Sequence, residues 1–71
     1  MDILFFELEY IHNGFEFRET FEDEVIAEQR YEELTDLSLN CESVTLLRYE
    51  ANNEFNYSSV SIIAHWERED N

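Results

Sequence analysis

Four acidic residues recur at intervals of four along the middle of the chain: Glu24, Glu28, Glu32 and Asp36. On an α-helix this spacing stacks the carboxylates in one ridge, with about 6 Å of axial rise between neighbours. Glu22 and Glu33 widen the band on the outer face. Like charges so placed destabilise a helix by roughly a few tenths of a kcal/mol per pair, and a helix shaped for solubility alone would intersperse lysine. This chain has no lysine. The chemistry such a ridge offers is electrostatic. DNA presents one charge per roughly 3.4 Å of axis on each strand, and a row of fixed carboxylates imitates that field. The plain reading is a solvated charged face. The sharper one is a protein that occupies the basic cleft of a nucleic-acid-binding partner, with association accelerated by charge. A salt-adapted composition explains the acidity least well, because fourteen Glu stand against four Asp amid abundant aromatics.

Bond-making chemistry finds less to work with. A single Gly cannot build a phosphate-binding loop. Cys41 with His12 or His65 would supply a nucleophile and a base. Cysteine, however, behaves mostly as a small buried hydrophobe, and no third orienting group is evident. Two His and one Cys far apart in sequence lack zinc-ligand spacing, and the acidic runs lack the Asp-x-Asp-x-Asp-Gly order of a tight calcium loop. The expectation is a non-enzyme with no catalytic residues, no metal and no cofactor.

Composition sets the frame for these residues. The chain has 71 residues, 18 acidic and four basic, for a net charge of −14, and the basic residues are Arg18, Arg30, Arg48 and Arg68. That length allows one domain, residues 1–71, with a small core. A lone Cys41 excludes a disulfide-stapled scaffold. No apolar run approaches the roughly 20 residues that span a bilayer, and the start lacks the basic flank of a signal peptide. A cytoplasmic protein is expected, one that repels nucleic acid and anionic membranes rather than binding them. With 44% hydrophobic and 15% aromatic residues, the chain reads as folded despite its charge.

The elements that would position these groups follow from periodicity. Leu4, Phe6, Leu8 and Tyr10 alternate with Phe5, Glu7, Glu9 and Ile11, the period of a half-buried strand. Asn13-Gly14 then predicts a two-residue hairpin turn pairing His12 with Phe15, Tyr10 with Phe17, Leu8 with Glu19 and Phe6 with Phe21. Leu4, Phe6, Leu8, Tyr10, Phe15, Phe17 and Phe21 share the core face; Glu7, Glu9 and Glu16 lie on the other. A helix is expected from Glu22 to about Leu37, opened by a loose Thr20/Asp23 capping box. Its stripe is Ala27, Tyr31 and Leu34, with Ile26 and Leu37 at its margin and Arg30 snorkelling outward. A second hairpin follows: Glu42 to Glu50, a turn at Ala51-Asn52-Asn53-Glu54, and Phe55 to Trp66. Its register, and whether Val44/Leu46 or Thr45/Leu47/Tyr49 face the core, stay open. Residues 67–71 read as a frayed tail.

The fold class is therefore α+β, ββαββ, a four-stranded sheet with one helix on one face. The other face is mixed, with Ile3, Phe5, Ile11 and Ile63 among polar positions. This gives a second candidate surface, Phe5, Glu7, Glu9 and Ile11, that would close a homodimer or meet a partner protein. In size, charge and element order the chain resembles the small acidic inhibitor proteins of bacteriophages: anti-CRISPR proteins, anti-restriction proteins and uracil-DNA glycosylase inhibitors, several of them DNA mimics. That resemblance implies a host protein with a basic, nucleic-acid-binding surface as partner, met in the host cytoplasm. It carries no motif, so no functional residues transfer from it.

Overall fold

A computed structural model describes residues 2–36, 39–52 and 57–69, with the side chains of residues 2–4, 52, 57 and 58 left aside. The expectations for the side chains of Ile3 and Leu4, and for Leu37, Ser38, Asn53, Glu54, Phe55 and Asp70, lie outside the described residues. Five elements follow in the order ββαββ: β1 (Asp2–His12), β2 (Phe15–Phe21), α1 (Glu24–Leu34), β3 (Cys41–Asn52) and β4 (Tyr57–Glu67). The strands form one antiparallel sheet in the order β2-β1-β3-β4, and α1 packs on one face.

The first hairpin is set by its turn. Asn13 and Gly14 both have positive φ, 54° and 81°, as a type I′ connection requires. The register then runs from His12↔Phe15 to Phe6↔Phe21 as expected. Glu9 lies opposite Arg18 on the face away from the helix, and the two side chains approach to 3.5 Å.

Three register shifts decide the rest. Leu4 and Glu42 are extra residues in the β1–β3 ladder, and Ile63 is extra between β3 and β4. Each bulge displaces the alternation by one. Val44 and Leu46 therefore join Phe6 and Leu8 beneath the helix, while Thr45, Leu47 and Tyr49 take the other face. On β4, Ala64 and Trp66 pair with Leu46 and Val44 on the helix side, whereas Val60 and Ile62 pair with Tyr49 and Leu47. Ile63 is not on the open face, as strict alternation would have it; the bulge turns it against the core.

The core is Phe6, Leu8, Ala27, Leu34, Cys41, Val44 and Leu46, edged by Tyr10, Phe21, Tyr31, Ile63, Ala64 and Trp66. Phe15 and Phe17 share its face but not its burial, at 69% and 43% exposed. The helix is shorter than its sequence pattern. It starts at Asp23, whose Oδ1 accepts from the Val25 N–H at 2.8 Å, so the cap is Asp23 and not Thr20. It ends at Leu34 with Thr35 as C-cap. Ala51 and Asn52, expected in a turn, continue β3 instead. Arg68 is tied back to the sheet: its N–H donates to the Glu42 carbonyl at 2.9 Å and its guanidinium to Asn40 Oδ1.

Candidate functional site

The ridge expected on the helix is three residues long. Glu24, Glu28 and Glu32 lie along one exposed side of α1, each four residues from the next. Glu22 precedes the cap in a bend, and Asp36 follows the C-cap, so neither belongs to the helix. Both are exposed and extend the acidity at the two ends. Glu33 is exposed but paired with a cation, its Oε2 3.0 Å from Arg30 Nη1. Val25 and Ile26 are also exposed, at 60% and 53%. Val25 is three residues before Glu28 and shares its side of the helix, so the acidic surface has an apolar member that the sequence reading placed at no site.

The arginines are drawn elsewhere. Arg18 meets Glu9, and Arg48 Nε lies 2.6 Å from Glu50 Oε1. Arg30 does not snorkel outward. It turns across the core edge to Glu19, which also accepts from the Tyr10 hydroxyl at 2.5 Å. These bonds hold the Glu19 carboxyl below its usual range, Arg30 being the main cause. Burial, with Glu19 beside it, pushes the Tyr10 hydroxyl up. The sequence held a signal for this pair. Glu19 is the one acid on the helix-facing register of β2, and Arg30 is the one cation on the packed side of α1. Arg30 also reaches Glu33, three residues on in the helix.

The open face divides in two. At one end, Glu9, Arg18, Thr45, His65 and Glu67 make a polar network: His65 Nδ1 is 2.8 Å from Thr45 Oγ1 and Nε2 is 3.1 Å from Glu67 Oε1. A shallow depression of about 110 Å³ beside it is lined by Glu9, Ile11, Glu16, Arg18, Ser43 and Thr45. At the other end Phe5 stacks on Tyr49, with centroids 4.4 Å apart and planes 13° from parallel. Leu47 is buried beside them, and Val60 and Ile62 are exposed. Glu7 sits between the two regions. Burial, and then Glu9, raise its pKa above the usual carboxylate range. The second candidate surface is thus split: Phe5 and Glu7 adjoin the apolar end, Glu9 and Ile11 the polar one. Leu47, Tyr49, Val60 and Ile62 complete it, unforeseen because the register of the second hairpin was open.

Cys41 and His12 are brought together after all, as cross-strand partners in β3 and β1. They line one groove of about 280 Å³ with Tyr10, Phe17, Arg30, Leu34 and Leu39. Cys41 is buried in the core, and burial pushes its thiol pKa up, which disfavours the thiolate a nucleophile needs. His65 lies on the opposite face. Among the described residues no group of His, Cys, Asp and Glu is arranged to hold a metal ion, and no helix is long and apolar enough to cross a membrane.

No protein-family model, curated protein or solved structure matches the chain.

Proposed function

We propose that this is an acidic, non-enzymatic binding protein that occupies a basic, normally nucleic-acid-binding surface of a partner protein. The observation that carries it is the distribution of cations. Three of the four arginines are committed to acids, Arg30 to Glu33 of the helix as well as to Glu19, and the fourth to Asn40, while none is placed against Glu24, Glu28 or Glu32. A chain that spends its cations internally and leaves one side of its helix negative has an outward field suited to a basic cleft. The likeness in size, charge and element order to phage inhibitors of host defence points the same way.

The exposed Val60 and Ile62 support a second reading, a protein–protein assembly module or homodimer using the open sheet face. Salt separates the two. The test is capture of bound proteins from a bacterial lysate at low and high salt, with identification of what is retained. The first reading expects a nucleic-acid-binding protein released by salt and displaced by duplex DNA. A salt-insensitive partner, or self-association alone, contradicts it.

A further inference from the structure

We propose that the outer edge of β4 pairs with the same edge of a second copy of this chain, antiparallel about a twofold axis at Val60, joining two four-stranded sheets edge to edge. The contact runs along the strand edge and covers neither the open face nor the helix ridge. It therefore stands or falls apart from the function proposed above.

The two edges of the sheet differ. β2 and β4 are its outer strands, and among the described residues neither has a partner on its far side. An unpaired edge offers a row of backbone N–H and C=O groups that another strand can meet, and folded proteins guard it with charge, proline or shortness. β2 is guarded: it has seven residues and carries Glu16, Arg18 and Glu19. β4 runs for 11 residues, Tyr57–Glu67, and bears no Asp, Glu, Lys, Arg or Pro before Glu67. Residues 55–66 are the longest stretch without Asp, Glu, Lys or Arg in a chain with 18 acids. Val60 and Ile62 are nonetheless exposed there, at 51% and 68%.

The missing charge identifies the occupant. The unpaired backbone asks for an extended strand, and a basic one would find no acid along this stretch to pair with. Two copies at −14 repel wherever their acids face each other. Along this edge they meet without one carboxylate opposite another. The ladder to β3 is regular from Tyr57 to Ile62, and the bulge at Ile63 interrupts it. Antiparallel pairing about Val60 uses residues 58–62 of each copy and stops short of that bulge. It sets Val60 of one copy against Val60 of the other, and Ser59 against Ser61. Opposed residues share a face, so Val60 and Ile62 of both copies gather about the axis on the open face, backed by Tyr49 and Leu47. On the other face Arg48, paired with Glu50, adjoins Ser61, so no net charge is brought to the axis there. An axis normal to the sheet keeps both helices on one side, with Glu24, Glu28 and Glu32 of each still free.

The test is sedimentation equilibrium of the full chain over a concentration series at low and moderate salt, with amide hydrogen exchange followed by NMR. A dimer that tightens as salt rises is expected, the reverse of binding through the ridge. The outward amides within residues 58–62 should slow as concentration rises, while those on the outer edge of β2 stay fast. Val60→Glu places two carboxylates opposite each other at the axis and should weaken the dimer by about tenfold or more. Val60→Ile should retain it. Val60 lies outside the core, and circular dichroism checks that both variants fold. A monomer at every concentration in moderate salt, a dimer whose β4 amides stay fast, or a dimer indifferent to Val60→Glu would each overturn the edge pairing. None of these outcomes touches the ridge, whose failure is read from Glu28→Lys/Glu32→Lys and the captured partner.

Discussion

Arg30 on the packed side of α1 closes on Glu19 of β2: its Nε lies 3.0 and 3.3 Å from the two carboxylate oxygens, and its Nη2 3.0 Å from Oε2. Tyr10 donates to the same carboxylate, so one acid joins β1, β2 and the helix at the core edge. The helix buries only Ala27 and Leu34 fully, too little apolar surface to fix its orientation by packing alone. Tyr31 packs partly against the core as well, and the Glu19 contact adds a polar tie on that side of the helix, away from Glu24, Glu28 and Glu32.

Removal of that contact should therefore cost stability. Glu19→Ala should lower it by about 1–2 kcal/mol, the range for a partly exposed, hydrogen-bonded ion pair. At this size about 4–8 °C of Tm accompanies each kcal/mol. Arg30→Ala should cost a similar amount, and the double variant little more than either, measured as a double-mutant cycle by thermal melting. Because the folded-state pKa of Glu19 is lowered from 4.5, its contribution is present above that value. It is lost as pH falls through the folded value, so wild type and Glu19→Gln should converge in acid.

Glu7 should behave in the opposite sense. Its folded-state pKa is raised above 4.5, by burial first and by Glu9 next. In the window between 4.5 and the raised value the folded chain holds a proton that the unfolded chain has lost. Stability should fall there as pH rises. Glu7→Gln should flatten that segment of the stability–pH curve and be at least as stable as wild type at neutral pH. An NMR titration of the Glu7 side chain checks the shift directly, and a midpoint at or below the ordinary glutamate value would contradict it.

Gly14 isolates the backbone. An added Cβ would meet nothing within 4 Å, yet φ is 81°. Gly14→Ala should cost about 1 kcal/mol from the left-handed conformation alone. Gly14→Asn should cost less, because Asn tolerates that region better. Urea denaturation resolves the difference.

Salt should stabilise the fold. With a net charge of −14, unfolding relieves repulsion that counterions otherwise screen. The urea midpoint should rise from low to moderate sodium chloride, and by less in a Glu28→Lys/Glu32→Lys variant.

Local chemistry made the first hairpin readable, since Asn13-Gly14 dictates both turn type and register. The helix was readable as an element but not in extent: Glu22 and Asp36 keep the four-residue spacing or its flank, yet Asp23 and Thr35 cap the helix inside them. The second hairpin failed on bulges. Strict alternation sends Ile63 to the open face, and no residue type near it announces the extra position. The apolar end of the open face was hidden for the same reason, because it exists only once Leu47 and Tyr49 are aligned with Ile62 and Val60. The Arg30–Glu19 pair was hidden differently: both residues were visible, but their contact depends on how far the helix reaches across the sheet.

On the proposed function, the exposed acids of the helix engage a basic surface. The decisive measurement is the affinity of the captured partner for wild type and for Glu28→Lys/Glu32→Lys across a salt series, with circular dichroism to show that both fold. Four units of charge change on the contact surface should weaken binding by about tenfold or more at low salt, and the difference should shrink as the screening length falls. Equal affinities with equal salt dependence would contradict the claim.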